Sequence, residues 1–259
     1  MVRSRRFSAG RGGEDRAPSP ATTPWALKRL LRTVTNRTLD FFFPRRCAGC
    51  GREGRFLCLD CLGTLRPLQP PWCSQCGRPY AGSGSCPDCR GRPHQLRGIR
   101  AAYIYEGALR QAVLEFKYRG VSAFAEELAP LLENHLREHP LAADLIVPVP
   151  LFGDRLRERG YNQAELLARH LSVSLSLPME GTALYRTRKT PPQARLVTWE
   201  DRRENMAGAF GARPEAVRGR RVLVLDDVCT TGATLDACGQ ALRAAGAASA
   251  WGMALAREV

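Results

Sequence analysis

Two adjacent aspartates, followed by small hydroxyl residues and a glycine, are the part of the sequence best suited to chemistry. They close the segment RVLVLDDVCTTGAT, residues 221–234. The carboxylates of Asp226 and Asp227 suit the hydroxyls of a sugar or a nearby magnesium ion. The glycine allows a tight loop whose backbone N–H groups can hold an anion, and the threonine hydroxyls and the amino end of the next helix add to that site. A phosphorylated ribose would satisfy both the carboxylates and the loop.

A simpler interpretation is a helix cap in which one aspartate closes the end of a strand. It explains one aspartate but not the TTGAT run. The sequence contains neither GxxxxGK[ST] nor GxGxxG, which disfavours loops for nucleoside triphosphates and dinucleotides. No residue is identified as catalytic, because the histidines are interpreted as surface or packing residues. These are His94, His135, His139 and His170.

Eight of the ten cysteines form four CxxC pairs. The pairs are Cys47/Cys50, Cys58/Cys61, Cys73/Cys76 and Cys86/Cys89. Each pair brings two thiolates close enough to share a tetrahedral metal ion, so the spacing predicts two structural zinc sites rather than disulfides. The segment has few large apolar residues, and the metal would take the place of a core. The spacing leaves open whether the two sites are sequential or interleaved.

Strand and helix patterns alternate from about residue 96 onwards. IRAAYIYEG, DLIVPVP, RVLVL and ASAWGMALAR are predicted strands, and ALRQAVLEFKYRG, FAEELAPLLENHLREH, YNQAELLARHLSVSLS and ATLDACGQALRAAG are predicted helices. The alternation predicts an α/β fold, a parallel sheet flanked by helices, preceded by a small double zinc-ribbon module. Ligands of such sheets bind beyond the carboxyl ends of the strands, where the two aspartates come. The predicted domains are residues 24–92, an amphipathic helix with the zinc module, and residues 93–259, the α/β domain.

Basic charge is concentrated in the first hundred residues. Residues 1–100 carry 19 Lys/Arg and 6 Asp/Glu, a net of +13, whereas residues 101–259 carry 20 and 19, a net of +1. A solvated tail would account for the excess, and so would attraction to the phosphates of nucleic acid or of an anionic membrane. Residues 1–23 are predicted to be a disordered basic tail, because Pro, Gly, Ser and Arg dominate them.

The segment between this tail and the cysteines is predicted to form a helix. Apolar residues recur there at helical spacing, at Leu27, Leu30, Leu31 and Val34. The helix is expected to pack on the rest of the protein, with binding to an anionic membrane surface as the alternative. Neither a membrane span nor a secretory signal is predicted, since no apolar run is long enough and none follows the first arginines. A cytoplasmic location is expected.

The motif VLVLDDVCTTGAT resembles the phosphoribosyl-pyrophosphate (PRPP) motif of type I phosphoribosyltransferases. From about Phe42 the chain resembles the ComF/GntX family, whose members join a cysteine-rich zinc module to a phosphoribosyltransferase-like domain. Three further segments carry the resemblance, namely LEFKYRG, PVPLFGDRLRERGYNQAELLAR and RTRKTPPQARLVTWEDRRENMAGAF. The N-terminal tail lies outside it.

The resemblance implies a role for each matched position. Asp226 and Asp227 would bind the ribose hydroxyls of PRPP, with magnesium nearby. The 5-phosphate would be held by the loop residues Thr230, Thr231, Gly232 and Thr234. Arg155 and Arg159 would contact pyrophosphate, unless they are surface charge at the start of a helix. The RTRKTPPQARLVTWEDRRENM segment would be a flap that closes over the substrate.

The same resemblance implies a phosphoribosyltransferase, a glycosyltransferase that transfers a pentosyl group, with an acceptor that the sequence does not identify. It links the protein to DNA uptake in natural transformation or to nucleotide-related metabolism, with competence or DNA-processing proteins as partners. The alternative is an accessory protein that binds PRPP without turnover and holds single-stranded DNA through the basic N-terminal part.

Overall fold

The computed structural model describes residues 45–189 and 199–259 of the chain. The predicted tail over residues 1–23, the predicted amphipathic helix and the central part of the predicted flap lie outside the described residues.

The described strands form a four-stranded sheet and a separate two-stranded antiparallel sheet. They are β1 (Ile99–Ile104), β2 (Leu145–Pro148), β3 (Leu184–Arg186), β4 (Phe210–Ala212), β5 (Arg221–Cys229) and β6 (Ser249–Arg257). The larger sheet has the order β1-β6-β5-β2, and all its neighbouring strands are parallel. The predicted parallel sheet is therefore confirmed, and the four predicted strands form it.

Helices flank this sheet on both faces. In the described residues they are α1 (Leu59–Gly63), α2 (Gly107–Tyr118), α3 (Phe124–Glu138), α4 (Gly153–Arg159), α5 (Gln163–Ser174), α6 (Trp199–Met206), α7 (Pro214–Val217) and α8 (Ala233–Ala244). The four long helices α2, α3, α5 and α8 match the predicted ones. The shorter helices and the β3–β4 pair escaped sequence analysis, because short polar segments contain too few apolar positions to show a period. No helix in the described ranges is long and apolar enough to cross a membrane.

Successive residues of the central strand β5 face opposite sides of the sheet. Leu225 belongs to the core covered by α2, α3 and α5, whereas Val224 belongs to the core covered by α8. The same alternation turns the side chain of Asp227 toward α2 and that of Asp226 toward the α8 side. The two neighbouring aspartates therefore have different surroundings.

Strand β5 is longer than the predicted segment RVLVL, which ended before the aspartates. It continues to Cys229 because β6 runs alongside it, pairing Asp226 with Ala254 and Cys229 with Arg257. The aspartates thus lie within the strand, near its carboxyl end, and the sheet fixes their backbone.

The eight paired cysteines form two groups in chain order. Cys47, Cys50, Cys58 and Cys61 make the first, and Cys73, Cys76, Cys86 and Cys89 make the second, with the four Sγ atoms of each group within 4.8 Å of one another. The sites are therefore sequential rather than interleaved, and the cysteines are free thiols rather than disulfides. Four sulfur atoms at this separation fit a tetrahedral zinc ion.

Backbone N–H groups point at one sulfur of each group. The Cys58 N–H donates to Cys47 Sγ at 3.3 Å, and the Cys86 N–H donates to Cys73 Sγ at 3.2 Å. Burial alone would raise the pKa of these two thiols, but the backbone donors outweigh it and lower the pKa of each to about 6. Because thiolate is the form that binds zinc, the donor set fits the metal.

Each cysteine group packs against a different part of the α/β domain. Beside the first group, the Phe56 ring stacks on Phe124 of α3 with centroids 4.4 Å apart. Beside the second, the Ile99 N–H of β1 donates to the Gln75 carbonyl oxygen at 2.6 Å. Gly77 permits this approach, because a Cβ there would lie 2.3 Å from the Ile99 carbonyl oxygen. The cysteine-rich module is thus joined to the domain by packing as well as by the chain.

We expect the purified protein to contain two zinc ions per chain, one in each cysteine group. Cys73→Ser should reduce the content to one, because it removes a thiolate ligand of the second group. Cys238→Ser is the matched control, since this buried cysteine belongs to neither group, and it should leave two. Elemental analysis after gel filtration measures both. A zinc-free protein whose eight paired cysteines are joined in disulfides would contradict the expectation.

Candidate functional site

A cleft with a volume of about 320 Å³ opens at the carboxyl ends of β2 and β5. The segments that follow the strands of a parallel sheet collect at this edge, so residues far apart in the chain meet there. The cleft contains most of the site residues predicted from the sequence. Those that line it are Asp226, Asp227, Thr230, Gly232, Thr234, Arg155 and Arg159.

Asp227 forms an ion pair with a lysine that the sequence analysis did not single out. The Lys117 Nζ, at the end of α2, lies 3.0 Å from Asp227 Oδ1, and the two side chains are only 17% and 10% exposed. Burial alone would lower the pKa of Lys117, but the carboxylates of Asp227 and then Asp226 raise it above its usual value. The lysine is therefore a fixed positive charge in the cleft.

The turn before α5 holds this lysine in place. The carbonyl oxygen of Phe116, the residue before Lys117, accepts hydrogen bonds from the Tyr161 hydroxyl at 2.7 Å and from the Gln163 amide at 3.1 Å. Between them, Asn162 caps α5 by accepting from the Ala164 N–H at 3.1 Å. The end of α2 is thus fixed by side chains from a segment about 45 residues later.

Asp226 faces the other side of β5 and has different electrostatics. Its Oδ1 accepts the Asp227 N–H at 2.9 Å. Burial, and then the charge of Asp227, raise the pKa of Asp226 to about 7, although Lys117 and Arg186 oppose the shift. Asp226 therefore changes its charge near neutral pH, while its neighbour is held by a lysine.

The loop after β5 has the backbone that the glycine predicts. Gly232 has φ 86° immediately before α8, a conformation that favours glycine. A Cβ there would also lie 2.7 Å from Ile99 Cδ1. The amino end of α8 consequently faces the cleft, flanked by Thr230 and Thr234, and the amino end of a helix suits an anion.

Thr231 is placed differently from the other loop residues. Its Oγ1 accepts the Ala233 N–H at 3.4 Å, and the residue lines a second, smaller cavity of about 70 Å³. That cavity lies between the loop and the second cysteine group. A role for the Thr231 side chain in holding phosphate within the cleft remains a prediction.

Basic side chains form the wall opposite the aspartates. Arg155 and Arg159 are four residues apart on α4, so they lie on the same face of the helix. The Arg159 guanidinium donates to Gln163 Oε1 at 3.1 Å and lies over the Tyr118 ring, 5.1 Å from its centroid. Its Nε is buried without a hydrogen-bond partner among the described residues. Arg159 is thus half-buried beside the cleft, whereas Arg155 is exposed.

The strand at whose last residue the predicted flap begins adds a further cation. Arg186 of β3 lines the cleft, donates from Nε to the Pro150 carbonyl oxygen at 3.1 Å and stacks on the Phe210 ring. Next to it, Lys189 Nζ pairs with Asp154 at 2.7 Å. This ion pair joins the start of the predicted flap to α4, the helix that carries the two predicted arginines.

The arrangement provides carboxylates, a glycine–threonine loop and cationic side chains around one cavity. None of the four histidines, all of which lie in described residues, is among the lining residues of the cleft. Lys117 and Arg186 were missed from the sequence, although both lie in quoted segments. A lysine at the end of an amphipathic helix is usually explained by the helix dipole. Only the tertiary structure shows that this helix ends at the cleft.

Comparison with known proteins assigns two regions of the chain to known domain families. Residues 38–90 match the sequence model of the double zinc ribbon domain, and residues 122–256 match that of the phosphoribosyl transferase domain. Lys117 lies in the interval between the two matched regions.

Relatives cover most of the chain. It is 32% identical over 224 residues to Competence protein F of Haemophilus influenzae, which covers 78% of this chain and 97% of the relative. It is also 32% identical over 209 residues to the DNA utilization protein YhgH of Escherichia coli O157:H7, covering 78% and 86% of the two chains. The solved structure of the allosteric regulatory enzyme of purine biosynthesis is 19% identical, with a TM-score of 0.39, over 54% of this chain and 29% of that one.

Replacing the two aspartates one at a time should change stability in opposite directions. Asp226→Asn removes a carboxylate whose raised pKa makes the ionised form unfavourable in the fold, and this cost grows as the pH rises from the unfolded pKa of about 4 to about 7. The variant should therefore melt about 3 °C or more above the wild type at pH 8, and the difference should shrink toward pH 4.

Asp227→Asn leaves the buried Lys117 without its partner and should lower the melting temperature at pH 8 by at least about 5 °C. Scanning fluorimetry of the ligand-free protein across this pH range measures both variants. Equal shifts of the same sign would show that the two carboxylates do not differ as described.

Proposed function

The chain belongs to the ComF family, which joins a double zinc ribbon to a phosphoribosyl transferase domain, and we propose that its cleft binds PRPP together with magnesium. One observation carries the proposal. The two carboxylates, the glycine–threonine loop and the arginines of α4 line a single cleft at the carboxyl edge of the sheet.

Each part of PRPP has a matching part of the cleft. The ribose hydroxyls are assigned to Asp226 and Asp227. The 5-phosphate is assigned to the loop of Thr230, Thr231, Gly232 and Thr234 at the amino end of α8, where N–H and hydroxyl donors hold an anion without a cation. The pyrophosphate is assigned to Arg155 and Arg159, because guanidinium groups pair well with phosphate oxygens.

Magnesium fits the same cleft. This ion binds one or two protein carboxylates and takes its remaining ligands from water and substrate phosphates. Asp226 is the better placed of the two aspartates, because Asp227 is already paired with Lys117. Bound with PRPP, magnesium would supply charge stabilisation for the departing pyrophosphate.

The activity proposed is phosphoribosyl transfer to an acceptor still to be identified. The bond between C1 of the ribose and pyrophosphate breaks while the acceptor forms a bond to C1. Arg155 and Arg159 stabilise the negative charge that accumulates on the departing pyrophosphate. Asp227, held by Lys117, fixes the sugar through its hydroxyls so that C1 faces the acceptor. This function would serve DNA uptake or utilisation in the cytoplasm, as the names of the relatives suggest.

A specific observation favours a second function, PRPP binding without turnover. Asp227 is paired with Lys117, and no histidine of the described residues lines the cleft. The cleft therefore offers no imidazole that could deprotonate an acceptor. The protein would then be a PRPP-sensing accessory that holds single-stranded DNA. Release of pyrophosphate in the presence of candidate acceptors separates the two functions.

The charge distribution supports a proposed DNA contact near the amino terminus. Residues 45–100 carry ten arginines and three acidic residues, a net of +7. Two zinc ions each bound by four thiolates would carry a charge of −2 per site, which reduces this net to +3. Several of these arginines are already paired with carboxylates, in the pairs Arg46–Glu53, Arg52–Asp60, Arg66–Glu106 and Arg78–Asp88. Residues 1–44, with nine Lys/Arg and three Asp/Glu, are therefore the stronger candidate for binding phosphates.

Calorimetry with PRPP and magnesium tests the site. Replacing both Asp226 and Asp227 by Asn should weaken PRPP binding at least about tenfold, since each hydrogen bond to a charged group contributes about 1.5–3 kcal/mol. Asp144→Asn is the matched control, because this carboxylate pairs with Arg221 at the opposite end of β5 and should leave affinity unchanged. Unchanged affinity in the double variant would mean that the aspartates serve another purpose.

Fluorescence anisotropy on a labelled single strand tests the DNA contact. A chain that starts at residue 45 keeps the compact unit 45–259 and should bind DNA at least about tenfold more weakly than the full chain, with a shallower dependence on salt. Its affinity for PRPP should stay the same, which serves as the control. Equal DNA affinity of the two proteins would assign the contact to the described part of the chain instead.

A further inference from the structure

The small cavity behind the phosphate-binding loop is shared by the loop and the second cysteine group. One side is formed by Cys76 and Cys89, and the other by Thr231 and Gly232. Gly232 also lines the main cleft, so the loop is a thin wall between the two spaces. A displacement of the second cysteine group would therefore change the packing behind this loop.

Arg257, the last residue of β6, lines the same cavity and is completely buried. Its Nη1 donates to Cys229 Sγ at 2.9 Å, while Nε and Nη2 have no hydrogen-bond partner among the described residues. A buried guanidinium without a compensating negative charge is strongly unfavourable. The charge needed is available across the cavity, because four thiolates outweigh one zinc ion by two negative charges.

Arg257 also holds the residue from which the loop begins. It is the register partner of Cys229 in the sheet, and the Glu258 N–H donates to the Cys229 carbonyl oxygen at 3.1 Å. Thr230 follows directly. The position of the loop thus depends on a buried side chain that lines the same cavity as the second cysteine group.

A second connection joins the same partners through β1. The Ile99 N–H donates to the Gln75 carbonyl oxygen at 2.6 Å, and the Ile99 side chain packs against Gly232. On α8, Asp236 accepts the Gln95 N–H at 2.8 Å. The first cysteine group has none of these contacts, since it packs beside α2 and α3.

We propose that the second zinc ribbon is the back wall of the phosphate-binding loop, and that Arg257 is the positioning residue that couples them. The inference concerns the same site as the proposed function and rests on it only for the identity of the ligand. Zinc in the second group then determines phosphate affinity, whereas zinc in the first group does not. Loss of that zinc removes the constraint on the second cysteine group, so that this wall of the shared cavity, and with it Arg257 and the loop, can move.

Amide hydrogen exchange of the loop tests the coupling without any ligand. Cys89→Ser, in the second group, should lose one zinc and speed exchange in a peptide covering residues 229–235 by at least about tenfold, while a peptide from α5 exchanges as in the wild type. Cys50→Ser, in the first group, is the matched control. It should also lose one zinc but leave loop exchange within a factor of about two.

Arg257→Met tests the arginine, with Arg100→Met as its control. Arg100 also contacts the second ribbon, donating to the Ser74 carbonyl oxygen at 3.2 Å, but it lies between the rings of Trp72 and Trp251. With zinc in excess, Arg257→Met should speed loop exchange and Arg100→Met should not. If Arg257→Met does not fold, Arg257→Lys keeps the charge but loses the planar fork, and it should still speed loop exchange.

Calorimetry with PRPP and magnesium gives the second readout. Binding should weaken about tenfold in Cys89→Ser and Arg257→Met, and stay unchanged in the two controls. Equal loop exchange in Cys89→Ser and Cys50→Ser, or wild-type exchange in the Arg257 variant that folds, would overturn the proposal. If the wild type does not bind PRPP, the proposed function fails, and the exchange data still decide whether the ribbon supports the loop.

Discussion

The ion pair between Asp227 and Lys117 is largely buried, so the fold must hold both side chains in position. Removing one partner of such a pair typically costs about 3–5 kcal/mol, because the other charge stays buried. The surrounding structure holds each partner separately. Pairing with β6 on one side fixes the backbone of β5, and two hydrogen bonds to the Phe116 carbonyl oxygen fix the end of α2. The cleft is thus formed before any ligand enters it.

The cysteine-rich module contacts the two elements that supply the charged parts of the cleft. Its first group lies against the start of α2, where a Cβ on Gly49 would lie 2.8 Å from the Ala108 side chain. Its second group lies behind the loop that follows β5. A module with few large apolar residues buries too little apolar surface to fold by itself. Metal binding supplies the missing folding free energy. Packing of the second group then supports the loop, whereas the first group supports the start of α2, away from the loop.

Local pattern was sufficient to predict the sheet, the long helices, the four CxxC pairs and the loop with its glycine, whereas the grouping of the pairs came from the structure. These features repeat at short range, as period 2 in strands, period 3.6 in helices and CxxC in metal sites. Lys117 could not be predicted in this way, because its role comes from contacts with β5 and with the turn before α5. The placement of Thr231 and the full length of β5 likewise depend on neighbours distant in the chain. Helices and strands are therefore predictable from local pattern, whereas the tertiary contacts of each of their faces are not.

Two aspartates in succession on a strand are chemically unequal, since the strand turns them to opposite sides. Asp227 forms an ion pair with a lysine, whereas burial raises the pKa of Asp226 to about 7. In the unliganded cleft, the ionised form of Asp226 therefore lowers the stability of the fold. A ligand that brings hydroxyl donors or a divalent cation favours the ionised form of Asp226, and it recovers part of that cost on binding. Under the proposed function, this gain on binding accounts for a second acidic residue where one would suffice to hold a sugar.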